Sequence, residues 1–155
     1  ANKSKQWYEA RNAQGLRNID RPLANFSMYY KWWSCNELKN QYANQFGIHY
    51  DAVIRTRFDI ALHNAIPHEY LEDHANVYIP VVGSWGPDEI SDLITIGTNE
   101  HIDHWCNIYH NLDSKFESNQ DDFTKALYPH KLFYYHLADH DIPFKQVPID
   151  CEILR

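Results

Sequence analysis

The sequence predicts an α/β domain in three layers, with helices flanking a mixed or mostly parallel β-sheet. A helical stretch over residues 25–46 ends at Gly47, and the short apolar strand Ala52-Val53-Ile54 follows after a brief connection. A helix, a short loop and a buried strand in this order are common in α/β folds and favour parallel strands. Further strands and helices then alternate, and 155 residues suffice for one domain with its own core.

Composition limits the classes of function. The net charge of −7 argues against a general nucleic-acid binder, which needs a basic surface to neutralise phosphates. No apolar run approaches about 18 residues, so no membrane span is expected. The chain has three cysteines, an odd number, and they lie far apart in the sequence: Cys35, Cys106 and Cys151. This favours reduced thiols in the cytoplasm over a disulfide framework.

The first long element is the helix over residues 25–46, preceded by an irregular arm over residues 1–23. Asn25 or Ser27 is suited to cap the start of this helix. One stripe at helical spacing is expected to face the core; it consists of Met28, Trp32, Cys35, Leu38, Tyr42 and Phe46. The opposite side is expected to face solvent and carries Lys31, Glu37, Lys39 and Asn40.

The central strand begins apolar and becomes charged at its far end. The strand period of two places one set of residues on the same side: Asp51, Val53, Arg55, Arg57 and Asp59. Buried charges are costly unless they are paired or bind something, and ligands of open α/β sheets collect at the carboxyl ends of strands. Two arginines and an aspartate suit an anionic ligand, with or without a divalent metal. The alternative is an Arg–Asp ion pair that only closes the sheet.

Two short elements follow the central strand. A helical segment is expected over residues 67–73, beginning at Pro67. Residues 76–80 read as a second strand, and Pro80 favours an edge position because proline cannot donate to the ladder. Residues 92–97 are the third predicted strand.

The last third of the chain returns to helices. Thr98 or Asn99 is suited to cap a helix over about residues 100–112, and the polar residues 113–122 are expected to form a loop. Pro129 starts a helix that runs to about residue 139. Residues 144–154 form a final strand or pair of strands, broken by Pro148.

The loop over residues 81–91 and the residue after it supply two further candidates. Trp85 in this loop suits stacking against a sugar, and an ordinary loop with a tucked tryptophan is the alternative. If the loop folds over the edge that holds Asp59, the carboxylates of Asp59 and Asp92 divide two roles. One holds metal and diphosphate, and the other is the base for an acceptor hydroxyl. Alternatively, Asp92 caps a turn.

Other chemistries find less support in the sequence. His101 with His104, and His136 with His140, are spaced to share a helix face, but no HExxH motif or cysteine pair completes a zinc site. A histidine-based metal hydrolase is therefore the weakest hypothesis. No GxSxG, GxxxxGK[ST] or GxGxxG motif occurs, which argues against the common hydrolase, phosphate-loop and dinucleotide sites.

The segment Tyr50-Asp51-Ala52-Val53-Ile54-Arg55-Thr56-Arg57-Phe58-Asp59 resembles a group of sugar transferases with the glycosyltransferase type-A (GT-A) fold. They occur in phages, large algal viruses and bacterial surface-polysaccharide loci. In that group a YD-x-VIR-x-R-x-D strand follows a helix like that over residues 27–46. Residues 90–97 resemble its "isD…G" segment, and residues 141–144 and 153–155 resemble its C-terminal end. The resemblance covers residues 27–155.

This resemblance implies a GT-A-like nucleotide-diphospho-sugar transferase domain that lacks its first strand, as the C-terminal part of a longer protein. It implies transfer of a sugar from a nucleotide-sugar donor to a glycan or other acceptor, in the cytoplasm of a bacterium or an infected host cell. Asp59 would match the "DxD" acid that binds Mn²⁺ or Mg²⁺ and the nucleotide-sugar, with Arg55 and Arg57 beside the diphosphate. Arg57 stands where the first acid of a DxD would be, so arginine could neutralise the leaving diphosphate instead of a metal.

The rival hypothesis is a non-catalytic carbohydrate- or protein-binding module on a truncated or decayed transferase scaffold. The 5 tryptophans and 11 tyrosines are compatible with it. Binding of free glycan without nucleotide would distinguish the module from the transferase. The donor sugar, the acceptor and the oligomeric state do not follow from the sequence.

Overall fold

A computed structural model of the protein describes Glu9 and residues 22–84, 86–118 and 128–154. It is a mixed α/β structure with a small mixed sheet and flanking helices, which confirms the predicted class at that level. In chain order, the elements from residue 22 onward are α1 (Pro22–Phe46), β1 (Val53–Thr56), β2 (Ile60–Leu62), α2 (Glu69–Glu72), β3 (Val77–Pro80), β4 (Ile94–Gly97), α3 (Asn99–Cys106), α4 (Ile108–Ser118), α5 (Pro129–Asp139), β5 (Phe144–Val147) and β6 (Cys151–Ile153).

The larger sheet has four strands in the order β1-β4-β3-β5, and β2 pairs with β6 in a separate ribbon. Among the described strands of this sheet, only β3 and β5 pair in parallel, whereas β4 is antiparallel to both β1 and β3. The helix-loop-strand succession therefore leads into an antiparallel pair. β1, which was predicted to be a buried central strand, lies at the edge with Ile54 exposed, and β3 lies inside the sheet. The predicted positions of both strands are therefore wrong. Pro80 is the last residue of β3, where its missing N–H interrupts little of the ladder.

Apolar side chains cover both faces of the sheet. On one face, residues of α1, α3, α4 and α5 pack against Val77 and Ile79 of β3. The indole of Trp105 stacks on the ring of Phe133, with centroids 4.8 Å apart and planes 8° apart. On the other face, Tyr78 packs in a cluster with Ile94 and Ile96. Alternate residues of β3 thus serve two cores, as the strand period requires.

The predicted inner face of helix α1 is correct only in its first half. Met28 and Trp32 of the predicted apolar stripe pack against the core, whereas Leu38, Tyr42 and Phe46 of the same stripe are exposed and Asn36 is buried. The side predicted to face solvent packs near α3, because Asp103 of α3 offers a carboxylate to its polar side chains. Gly47 follows the helix with φ +64°, in the left-handed region that glycine adopts readily, so the predicted helix end is confirmed.

Several boundaries also differ. The predicted helix over residues 100–112 is two helices that meet at Asn107, and residues 113–118, predicted as loop, belong to α4. The predicted cap is confirmed at Thr98, whose Oγ1 accepts from the N–H of His101 at 3.2 Å. Residues 22–23 of the predicted arm belong to α1, and the rest of the arm, apart from Glu9, lies outside the described residues.

Two further observations concern the predicted membrane and disulfide properties. None of the described helices combines the length and apolar character needed to cross a bilayer. All three cysteines are free: Cys35 is exposed on α1, and Cys106 and Cys151 are buried.

Candidate functional site

The charged residues after β1 and the loop before β4 meet because these two strands are antiparallel. Thr56 pairs with Ile94, and the N–H of Arg57 continues the ladder by donating to the carbonyl of Leu93 at 3.2 Å. The carboxyl end of β1 therefore lies beside the residues that precede β4. This pairing brings Arg57 close to Asp92, which is distant in sequence.

Arg57 is the centre of the charged site. Its Nε donates to Asp59 Oδ1 at 2.8 Å and its Nη2 donates to Oδ2 at 2.7 Å. Its Nη1 lies 3.6 Å from Asp92 Oδ2, and the side chains of Arg57, Asp59 and Asp92 are 32%, 29% and 12% exposed. The hydrogen bonds raise the pKa of Arg57 and lower the pKa of Asp59, so both are ionised at neutral pH. We call this set the Arg57 site.

Arg55 reaches the same region from inside the domain. Its Nη1 donates to the backbone carbonyl of Asp92, and its guanidinium carbon lies 3.6 Å from the ring centroid of Trp32. Its Nε and Nη2 are buried and find no acceptor among the described residues. Burial lowers the pKa of Arg55 to about 10, which still leaves it charged at neutral pH. A buried cation with two unused donors is costly in free energy unless an anion or water completes it.

The structure thus brings together four of the five predicted site residues. Arg57, Asp59 and Asp92 meet through their side chains, and Arg55 meets the backbone of Asp92. The fifth, Trp85, lies outside the described residues.

The turn before β4 involves Ser91, whose Oγ accepts from the N–H of Leu93 at 3.3 Å. The predicted ion pair that closes the sheet is also present, as the Arg57–Asp59 pair.

The arrangement does not fit a divalent cation. Both oxygens of Asp59 accept from Arg57, so the guanidinium occupies the place where Mn²⁺ or Mg²⁺ would bind to this carboxylate. Within the part of the chain that the structure describes, no three His, Cys, Asp or Glu side chains are grouped so as to hold a metal ion. Positive charge at the Arg57 site comes from the two arginines.

A second polar feature, which the sequence analysis missed, lies between α1 and α3. Asp103 Oδ1 accepts from Asn36 Nδ2 at 2.7 Å, from Lys39 Nζ at 3.0 Å and from Asn40 Nδ2 at 3.0 Å. Its Oδ2 accepts from Asn99 Nδ2 at 3.0 Å. Burial raises the pKa of Asp103, but these donors outweigh burial and lower it overall. The i, i+4 spacing of Asn36, Asn40 and Asn44 on α1 was the available signal.

Beside this network runs an open groove, which we call the amide groove. One part has a volume of about 470 Å³ and is lined by residues that include Asn40, Asn44, His49, Tyr50, Asn99 and Asp103. The adjoining part, of about 250 Å³, shares Asn40 and Asp103 and adds Trp33, Asn36 and Asn107. Tyr50 precedes β1 and Asp59 follows it, so the amide groove and the Arg57 site lie at opposite ends of this strand.

Comparisons with protein-family models, with curated protein sequences and with solved structures find no match to this chain.

Proposed function

We propose that the chain is a glycosyltransferase of the GT-A type, which moves a sugar from a nucleotide-sugar donor to a glycan or other acceptor. The donor diphosphate would bind at the Arg57 site. The observation that carries the proposal is the position of Arg57, with one carboxylate on each side of its guanidinium at the carboxyl end of β1.

The arginines supply the chemistry that this reaction needs. When the bond between the sugar and the phosphate breaks, negative charge grows on the leaving diphosphate, and fixed cations stabilise that charge. A guanidinium has five N–H donors, of which Arg57 spends two on Asp59. Two buried nitrogens of Arg55, Nε and Nη2, have no acceptor among the described residues, and phosphate oxygens would accept from them.

Asp92 is the proposed base on the acceptor side. A general base must reach the hydroxyl proton that it removes, directly or through one water. The Asp92 carboxylate is largely buried and lies 3.6 Å from Arg57, next to the proposed diphosphate position. Proton transfer to its carboxylate would make the acceptor oxygen nucleophilic as the diphosphate leaves.

Mn²⁺ or Mg²⁺ would take part only if Asp59 were released from Arg57. We therefore propose that the two arginines neutralise the diphosphate charge, and that donor binding does not need added metal. Titrations with and without manganese test this part separately.

The test is calorimetry of the purified chain with UDP- and GDP-sugars, with and without MnCl₂. Arg57→Gln removes one cation from an ion pair, and Lys131→Gln is its matched control. Lys131 pairs with Asp88 at 3.0 Å and is 28% exposed, close to the 32% of Arg57.

We expect at least one nucleotide-sugar to bind to the unchanged protein and to Lys131→Gln but not to Arg57→Gln. The absence of heat from every nucleotide-sugar, with the protein folded by circular dichroism, would refute the proposal. An equal loss of binding in both variants would refute the assigned site.

A further inference from the structure

We propose that the amide groove between α1 and α3 binds a neutral saccharide chain, at a site separate from the Arg57 site. Its two adjoining parts, of about 470 and 250 Å³, together hold more than one sugar ring. The inference rests on the groove itself and does not require the proposed transferase activity.

The lining matches the chemistry of hydroxyl groups. Five asparagines line the two parts: Asn36, Asn40, Asn44, Asn99 and Asn107. Each amide carries both donors and an acceptor, and each sugar hydroxyl also donates and accepts. A lining of amides therefore suits an uncharged ligand with many hydroxyls better than it suits an apolar ligand.

Asn36 gives a second, independent indication of a ligand. It is only 8% exposed, and its Nδ2 is fixed on Asp103 at 2.7 Å. Its Oδ1 is buried and has no donor among the described residues. A buried acceptor without a partner costs free energy, and a ligand hydroxyl that donates to it would remove that cost.

The network around Asp103 holds the groove in a fixed shape before any ligand binds. Asp103 fixes Asn40 and Asn99 through their Nδ2 groups, and Lys39 donates to Asn99 Oδ1 at 2.5 Å. Side chains held by their neighbours lose little entropy when a ligand arrives. Such preorganisation favours recognition of the ligand.

Trp33 supplies an aromatic surface at one end of the groove. It stacks on Tyr109, with ring centroids 5.6 Å apart and planes 23° apart, and packs edge-on against His110 at 4.9 Å. Tryptophan combines a large apolar face with a polar N–H, and a sugar ring combines apolar C–H groups with hydroxyls. The two can pack face to face.

Charge in the groove selects against anionic ligands. Glu37, Glu100 and Asp103 line it, and no lysine or arginine is among the described residues that line it; the nearby Lys39 is bonded to Asp103. Phosphates, and therefore nucleotide-sugars, would be repelled. A polyamine is the other class that this charge would admit, but Asp103 already accepts four hydrogen bonds, which favours the saccharide.

The test is titration of the full chain with cellohexaose, xylohexaose, mannohexaose and maltohexaose, with spermidine and UDP-glucose as comparisons. Calorimetry measures affinity, and NMR of the asparagine side-chain amides locates the site. Trp33→Ala removes the aromatic surface, and Asn44→Ala changes an exposed amide outside the Asp103 network. Tyr42→Ala is the matched control, because Tyr42 is an exposed aromatic residue of the same helix.

We expect at least one hexasaccharide to bind and to shift the amide signals of Asn36, Asn40 and Asn99. Trp33→Ala and Asn44→Ala should each weaken binding about tenfold, while Tyr42→Ala and Arg57→Gln leave it unchanged. No binding of any of the four hexasaccharides, tighter binding of spermidine, or an equal loss in Tyr42→Ala would overturn the proposal. Arg57→Gln changes only the proposed nucleotide-sugar site. The experiments can therefore refute the saccharide groove without refuting the transferase, and the reverse.

Discussion

Arg57 and Asp59 form a bidentate ion pair across a single intervening residue, with donor–acceptor distances of 2.8 and 2.7 Å. Arg57 follows β1 and Asp59 precedes β2, so the pair spans the connection between the two strands. The geometry fixes the plane of the guanidinium and leaves Nη1 on the side of Asp92. The pair therefore has two roles: it stabilises the connection between β1 and β2, and it orients the guanidinium of Arg57 in the proposed donor site.

Replacement of Arg57 by lysine separates these two roles. Arg57→Lys keeps the charge but loses the planar fork, so the affinity for nucleotide-sugar should fall about tenfold. The free energy of unfolding should change little, because partly exposed ion pairs contribute little to stability. Calorimetry and urea denaturation measure the two effects. Unchanged affinity would show that the fork does not orient the donor.

Asp92→Asn should separate binding from catalysis. The amide keeps the size of the side chain but cannot accept a proton, so nucleotide-sugar binding should persist. The rate of sugar transfer should fall about 10²- to 10⁴-fold, the usual contribution of a general base. The measurement is release of the nucleotide diphosphate in the presence of acceptor. A variant with full turnover would remove Asp92 from the mechanism.

Arg55→Met should leave stability unchanged or raise it, while nucleotide-sugar binding is lost. Methionine fills a similar volume without a buried charge, and such replacements of buried ions are often neutral or stabilising. The two nitrogens that lack acceptors among the described residues, Nε and Nη2, are removed together with the charge. Urea denaturation and calorimetry check the two halves of the prediction. A loss of stability together with intact binding would identify Arg55 as purely structural.

Phe133→Ala should lower the free energy of unfolding by about 3–5 kcal/mol. Phe133 is fully buried, stacks on Trp105 and contacts Trp32, with ring centroids 4.9 Å apart. Phe58→Ala is the control because Phe58 is fully exposed, and this variant should match the unchanged protein. Urea denaturation measures the free energy of unfolding of both variants. Similar urea midpoints for the two variants would contradict the described core.

His136 should make stability depend on pH. It is buried, donates from Nε2 to the backbone carbonyl of His104 at 2.7 Å, and its Nδ1 has no partner among the described residues. Burial is the largest cause that lowers its pKa to about 4; the nearby His140, Lys115 and His104 act in the same direction, and the hydrogen bond to the carbonyl of His104 acts in the opposite one. The unfolded chain takes up a proton near about pH 6.5, which the folded protein does not bind until about pH 4.

The contribution of His136 should therefore be complete above about pH 6.5 and fall by about 3 kcal/mol as the pH drops to about 4. Urea denaturation at pH 7.5 and pH 5 gives the free energy of unfolding of the unchanged protein and of His136→Gln. The difference in this free energy between the two proteins should be larger at pH 7.5. A difference that does not change with pH would show that His136 binds a proton equally well in the folded and the unfolded state.

Local features of the fold could be predicted from the sequence. Gly47, Thr98 and Pro129 mark helix ends through their own backbone or side-chain chemistry, and each has that role in the structure. The alternation along β1 is also local: Val53 and Arg55 share one side of the strand as predicted, and the structure makes this the more buried side. The meeting of Arg57 with Asp92 depended on how the loop folds, which the sequence left open.

Strand partners and helix faces could not be predicted, because distant residues decide them. The antiparallel pairing of β1 with β4 depends on contacts some forty positions apart. Helix α1 has large side chains on several sides, so hydrophobicity alone did not select its inner face. In the second half of the helix, the side that carries Asn36, Lys39 and Asn40 faces α3, where these residues donate to Asp103. The amide groove was missed for the same reason.

The unequal exposure of the three cysteines has a practical consequence. Burial raises the pKa of Cys106 to about 12 and also raises the pKa of Cys151, so neither thiol is readily converted to the reactive thiolate. Cys35 alone is exposed, on the helix that forms one wall of the amide groove. A maleimide fluorophore would attach there selectively, so the native chain provides its own reporter position for sugar titrations.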